Sequence, residues 1–206
     1  MITVQHSVLT IGYSMHSLET FMAVLRQHGV TALADVRSVP FSRVNPQFNK
    51  ESLKRNLKVY GIKYVFLGRE LGARSHDDSC YENGRVQYAR LARTDLFRSG
   101  IERVIRGTND YHIALMCAEK EPLECHRTLL VGRALAVRGV IVEHILFDGR
   151  LEPHEATMER LLDVFGLPYQ DLLRSKAELI AEALARQEER VAYVDEKLKA
   201  NKPREM

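Results

Sequence analysis

The amino-acid sequence predicts a three-layer α/β protein: a mostly parallel sheet with helices on both faces, plus a helical C-terminal appendage. Three observations carry that expectation. Apolar, strand-like runs alternate with segments of helical spacing between residues 8 and 146, the pattern of βαβ units. Glycines at 29, 61 and 139 stand where helices should stop. After Gly149 the character changes and helical spacing takes over.

Taken in order, Val8-Leu-Thr-Ile-Gly12 reads as the first strand. Ser17 can cap a helix running to about His28. Val30 to Val36 is a second strand, and Arg37 to Asn49 a polar loop punctuated by Pro40 and Pro46. Asn49 can cap a helix to Tyr60, and Ile62 to Leu67 is a third strand. Gly68 to Gly84 reads as one long loop, a length usually kept for function or motion. Between Val86 and Arg106, Tyr88, Leu91, Leu96, Ile101, Val104 and Ile105 recur at helical spacing. The run His112-Ile-Ala-Leu-Met-Cys117 is a strand ending in a thiol, and a short acidic loop follows it. A helix then opens on Cys125-His-Arg127 and runs to Arg138, with Leu129, Leu130, Ala134, Leu135 and Val137 facing inward. Val140 to Leu146 is the last strand, and strand order is not legible. Glu155 to Phe165 is helical, with Met158, Leu161, Leu162 and Phe165 on one face. Ser175 to about Lys199 reads as one long amphipathic helix. Its stripe of Leu179, Ile180, Ala183, Leu184, Val191, Val194 and Leu198 must be covered, by the sheet domain or by a second copy in a homodimer. The chain thus divides into an α/β domain, 1–150, and a helical extension, 151–206.

Composition excludes several classes. A chain of 206 residues, 45% apolar and 28% charged, is neither disordered nor fibrous. Nothing approaches 18 consecutive apolar residues, so no membrane span is expected. The opening Met1 to His6 lacks the basic and apolar regions of a secretory signal. Three cysteines make no disulfide framework, so a cytoplasmic protein with reduced thiols is expected. The net charge of +3 is uneven: residues 37–106 hold 15 Lys/Arg against 7 Asp/Glu. A region that basic suits a phosphate, a carboxylate or nucleic acid, and also suits a plain solvated surface.

The residues with chemistry cluster at predicted strand ends, where α/β proteins bind ligands. Asp35 and Arg37 close the second strand; an arginine fork beside a carboxylate suits an oxyanion, or simply an internal ion pair. Within eleven residues stand Cys117, Glu119, Cys125, His126 and Arg127. Three chemistries fit. Cys117 is a nucleophilic thiolate in a rhodanese-like sulfur or phosphoryl transferase, activated by a helix N-terminus and by Arg37 or Arg127; yet Glu119, Glu121 and Glu124 would repel an anion there. Or Cys117, Cys125, His126 and His144 hold zinc or iron; yet seven residues separate the cysteines where two to four is usual, and Arg127 adds repulsion, so no metal and no cofactor is expected. Or Glu119 is the reactive carboxylate and His126 and Arg127 hold an anionic substrate at the helix N-terminus. Against all three stands a cluster that merely packs, with cysteines as small apolar residues. His144, inside an apolar strand, reads as a core histidine, and Cys80 as incidental. Gly12, Tyr13 and Ser14 end the first strand, where amides and a hydroxyl can meet a ligand; Arg69, Arg74 and Arg85 flank the long loop.

Several segments together resemble one family: Thr10-Ile-Gly-Tyr-Ser14, Asp35-Val-Arg-Ser38 with Pro40 and Arg43, Phe48-Asn49, Leu71-Gly72, Tyr88, Met116-Cys-Ala-Glu119 and Cys125-His-Arg127. They look like the DUF488 family of uncharacterised proteins, over about residues 8–150, and the closing helices look like the extension of longer bacterial members. The family's first motif places a histidine where this chain has Tyr13, and its loop pairs glycines where Gly72 is followed by Ala73. The resemblance implies which residues belong together and no reaction. The resulting expectation is an enzyme, or a former enzyme, handling an anionic substrate, such as a nucleotide or nucleic acid, at the sheet's carboxyl edge. Glu119, Cys117 and Asp35 are its expected catalytic residues. Gly12, Tyr13, Ser14, Arg37, Arg43, Cys125, His126 and Arg127 are its expected binding residues. The alternatives are the transferase built on Cys117 and a non-catalytic module binding nucleic acid or a partner, with no membrane contact.

Overall fold

The computed structural model describes residues 6–199. The first five residues, over which the sequence argues against a signal, lie outside the described part. A six-stranded sheet has the order β3-β2-β6-β1-β7-β8. Its strands are β1 (Ser7–Gly12), β2 (Ala32–Asp35), β3 (Lys63–Phe66), β6 (Ile113–Cys117), β7 (Ile141–Ile145) and β8 (Leu151–Pro153). All adjacent pairs are parallel except β7 with β8. The predicted α/β class and its helices on both faces are observed.

The layers follow from side-chain alternation in buried strands. In β1, Leu9 and Ile11 face one way, against α1 (Leu18–Gln27) and α2 (Lys50–Val59), which contribute Phe21, Leu25, Leu53 and Leu57. In β6, Ile113, Leu115 and Cys117 face the other way, into a cluster with Phe97, Ile101, Leu129, Leu130, Leu161 and Leu179. The α1 helix starts because Ser17 Oγ accepts the Thr20 N–H at 3.1 Å, and it stops where Gly29 takes a φ of +62°.

The connections leave β1 and β2 toward one face, while those leaving β3 and β6 run over the opposite face. Because β6 is inserted between β1 and β2, a crevice opens at its carboxyl end. This is the topological switch point where α/β sheets bind ligands. The register sets Gly12 beside Cys117 and Asp35 beside Met116, so the ends of three strands meet there.

Several expected elements are corrected. The segment 68–84 is not one structureless loop: it holds α3 (Gly68–Leu71), a 3-10 turn (Asp78–Cys80) and the first strand of the hairpin β4 (Tyr81–Glu82)–β5 (Arg85–Val86). The helical region after it breaks into α4 (Tyr88–Leu91) and α5 (Asp95–Gly107), because Thr94 caps a new start by accepting the Phe97 N–H. That restart turns Phe97 inward and leaves Leu96 exposed. The helix after Cys125 begins as a π-helical stretch, Arg127–Gly132, before α6 (Arg133–Ala136), and the changed phase leaves Val137 81% exposed instead of inward. The sheet runs past residue 150 through β8, whose antiparallel pairing the sequence did not announce. α7 (His154–Val164) matches its expected span. α8 (Lys176–Val191) opens on a full capping box between Ser175 and Glu178 but stops sixteen residues later. Val194 then bridges Arg85 in extended backbone, and α9 (Glu196–Lys199) is separate. Leu179, Ala183 and Leu184 are buried in the chain's own core.

Candidate functional site

Gly12 lets the site form. A Cβ there would stand 1.8 Å from the Glu119 carbonyl oxygen, so only glycine lets the loop after β6 lie across the end of β1. Tyr13 and Ser14 extend that contact, their N–H groups donating to the carbonyls of Cys117 (3.1 Å) and Ala118 (2.9 Å). Arg127, fully buried, braces the same loop: its guanidinium donates to the carbonyls of Glu119 (2.6 Å) and Lys120 (3.3 Å). Its charge is therefore directed at backbone oxygens.

Asp35 and Arg37 form a buried, two-pronged ion pair. Arg37 Nε donates to Asp35 Oδ1 at 2.8 Å and Nη2 to Oδ2 at 2.6 Å. Nη2 also donates to the Phe48 carbonyl at 2.9 Å, and Tyr64 Oη donates to Asp35 Oδ2 at 2.8 Å. The guanidinium lies over the Tyr13 ring, itself stacked on Phe48 at 4.4 Å. Nη1 is buried and has no hydrogen-bond partner among the described residues.

A cavity of about 400 Å³ opens above these groups, lined by Tyr13, Arg37, Cys117, Glu119 and His126, with Ser38, Arg74, Tyr88, Val191 and Tyr193 among its other walls. Of the remaining expected residues, Cys125 sits behind Glu119, its Sγ 3.0 Å from Oε2. Asp35 lies beneath Arg37, and Gly12 and Arg127 shape the loop from below. Ser14 is tied to that loop and Arg43 is exposed; neither lines the cavity. Of the three loop arginines only Arg74 reaches it, its guanidinium 4.5 Å above the Tyr193 ring; Arg69 lines a neighbouring cavity of about 520 Å³. Sequence reasoning missed Tyr64 and Tyr193. Tyr193 follows α8 and arrives by tertiary packing alone, with no local signal.

His126 and the thiols are buried together. Its Nδ1 lies 3.7 Å from Cys117 Sγ and 3.9 Å from Cys125 Sγ, while Nε2 lies 3.0 Å from the Val36 carbonyl. Burial pushes the Cys117 thiol well up, and Cys125 and Glu119 push it further. That is the direction opposite to the one a strand-end nucleophile needs. Burial also works to raise Cys125, but the Cys117 hydrogen bond, Arg127 and His126 outweigh it and hold this thiol low. Burial and then Cys125 raise the Glu119 carboxyl. His144, expected in the core, is fully buried: Nδ1 meets Thr10 Oγ1 at 2.7 Å and Nε2 meets His154 Nδ1 at 3.0 Å.

No helix among the described residues is long and apolar enough to cross a membrane. No curated protein and no solved structure matches the chain. A family model described as "Domain of unknown function DUF488" matches residues 17–134. The match spans more than half of the chain and takes in Asp35, Arg37, Cys117, Glu119 and the Cys125-His-Arg127 run, the residues that the crossing of β6 between β1 and β2 draws together. With sequence match and site coinciding over these residues, the chain belongs to the DUF488 family.

Proposed function

We propose that the cavity binds a small anionic substrate, a mononucleotide being the class that best suits its walls, and that the protein is an enzyme acting on it. The observation that carries this reading is Arg37 Nη1. Asp35 and the Phe48 carbonyl occupy the other two guanidinium nitrogens, and Arg37 lines the cavity with one N–H-bearing nitrogen unpaired. Leaving a buried donor unsatisfied costs about 1–3 kcal/mol, a cost that a phosphate or carboxylate oxygen removes. Arg74 adds a second cation at the rim, and Tyr88 and Tyr193 add flat walls of the kind a nucleobase stacks on. A volume of about 400 Å³ suits a mononucleotide and not a duplex. Cys117, Glu119 and His126 line the same cavity and are the groups the substrate's reacting end would meet.

The test is equilibrium binding on the full chain with inorganic phosphate and a panel of mononucleotides, read by calorimetry and melting temperature. A nucleotide at a hundred times its Kd should stabilise the fold by about 2.7 kcal/mol. Arg74→Ala should weaken it about tenfold without unfolding the protein, and Arg37→Lys, which keeps charge and loses the fork, should weaken it more. The reading fails if no anion raises the melting temperature at millimolar concentration, or if both variants bind as the parent does. A strongly salt-dependent affinity for DNA or RNA without turnover would favour the non-catalytic module instead.

A further inference from the structure

We infer that Cys117, Glu119, Cys125 and His126 form a site for a divalent cation of the zinc type. The donor atoms of these four side chains lie within 4.8 Å of one another. Two sulfurs, one imidazole nitrogen and one carboxylate oxygen are a donor set that zinc takes. Both sulfurs face the same nitrogen, His126 Nδ1, at 3.7 and 3.9 Å. In a tetrahedral site with zinc–sulfur bonds of about 2.3 Å and zinc–nitrogen bonds of about 2.0–2.1 Å, the sulfur–nitrogen edge is about 3.6 Å. The three buried groups therefore already stand near the spacing that such an ion imposes, and Glu119 reaches Cys125 from the cavity side.

Two supports are independent of that convergence. A carbonyl only accepts, so the Val36 oxygen at 3.0 Å fixes a proton on His126 Nε2 and turns Nδ1 toward the sulfurs. This is the outer contact that orients metal-bound histidines. The Arg127 backbone N–H donates to Cys125 Sγ at 3.4 Å, a contact that favours thiolate over thiol. Two thiolates and a carboxylate outweigh a divalent charge by one; buried Arg127, whose backbone already touches Cys125, is the neighbouring cation that balances it.

The spacing objection raised by the sequence is removed by the fold. The turn Pro122–Glu124 and the start of the following helix bring Cys125 back to the end of β6, so seven intervening residues close the set as well as two to four would. The repulsion expected of Arg127 is offset as well, since the loaded set carries one surplus negative charge for it to balance, while its guanidinium is held by the carbonyls of Glu119 and Lys120. The inference uses atoms other than those that carry the anion reading, and each can fail alone.

The test uses the full chain, purified under reducing conditions without added metal, its thiols counted, then stripped with a chelator and titrated with cobalt(II). Stoichiometric uptake with tetrahedral visible absorption and thiolate-to-cobalt charge transfer is expected, reversed by zinc. Zinc should also shield Cys117 and Cys125 from alkylation, mapped by mass spectrometry. Cys125→Ser and Glu119→Gln should each weaken zinc more than about 100-fold, beyond what loss of an outer contact costs. Cys80→Ser, which alters a buried thiol outside the set, should change nothing. Circular dichroism shows whether each variant folds; if one does not, the parent's cobalt spectrum and thiol protection decide. A parent protein with reduced thiols and no charge-transfer band overturns the inference. So does a spectrum unchanged in Cys125→Ser, or a Cys117–Cys125 disulfide that forms in air while the reduced protein ignores zinc.

Discussion

Buried histidines decide how this protein answers to acid. His144 meets Thr10 on one side and His154 on the other, and the contact between the two rings is lost once both are protonated, since two N–H groups would then face each other. Burial lowers the pKa of His144 well below its ordinary value, and His154 and the cations Arg127 and Arg160 lower it further, against the opposing Cys125. Burial likewise lowers His154, with Arg133 helping and Glu155 opposing. The unfolded chain takes up these protons near pH 6.5, whereas the folded chain refuses them. Stability from this pair is therefore complete above about pH 6.5 and is lost as pH falls toward the lowered folded values, at up to about 1.4 kcal/mol per pH unit for each histidine. Urea unfolding at pH 7.5, 6.5 and 5.5 should show the loss, and His154→Gln should make it shallower. Equal slopes in parent and variant would refute the assignment. Gly12 is the other residue whose role is fixed by its surroundings: the carbonyl of Glu119 occupies the place of a side chain.

At the scale of elements, α8 binds two parts of the molecule. Its inward stripe buries Leu179 and Ala183 completely in the cluster that also receives Leu115 of β6 and Leu161 of α7. Its far end makes polar contacts toward the site: Gln187 Nε2 donates to the Leu123 carbonyl at 2.8 Å, and Glu188 accepts the Tyr88 N–H at 2.5 Å. Leu179→Ala removes buried methyl groups from a packed interior and should cost about 2–5 kcal/mol, read as a lower urea midpoint at unchanged slope. A loss below about 1 kcal/mol would mean that α8 is loosely held and that the core does not depend on it. The sequence showed this stripe through Leu179, Ala183 and Leu184, and the start at Ser175; the capping box between Ser175 and Glu178 is a finding of the structure. It did not show the end at Val191, because Val194 keeps the helical spacing while its backbone pairs with Arg85 in extended form.

For the whole molecule, the sheet and the C-terminal helices share one core. Met158, Leu161, Leu162, Leu179 and Leu184 pack with Leu129, Leu130 and Phe97, and Val191 and Tyr193 complete a wall of the cavity. A chain ending at Gly149 would lose β8 and leave these apolar faces in water. It should aggregate or fail to unfold cooperatively, and it should lose the affinity for anions even where some of it stays in solution. Sedimentation together with thermal unfolding checks this. A monomer that melts cooperatively at the temperature of the full chain would show the sheet to be self-sufficient.

The sequence by itself determined the local features of this protein. Its apolar runs became strands β1, β2, β3, β6 and β7. Ser17 became a cap and Ser175 a helix start, Gly29 and Gly139 became helix stops with positive φ, and the Asp35-Val-Arg37 and Cys117–Arg127 segments were legible as one group of residues. These signals are short-range, because propensity, capping and side-chain alternation act over a few residues. Only the tertiary structure decided that β6 runs between β1 and β2, that Tyr193 joins the cavity, and that four donor atoms separated along the chain lie within 4.8 Å. Strand order and loop closure rest on non-local pairing and packing, whose energy no local pattern of residues records.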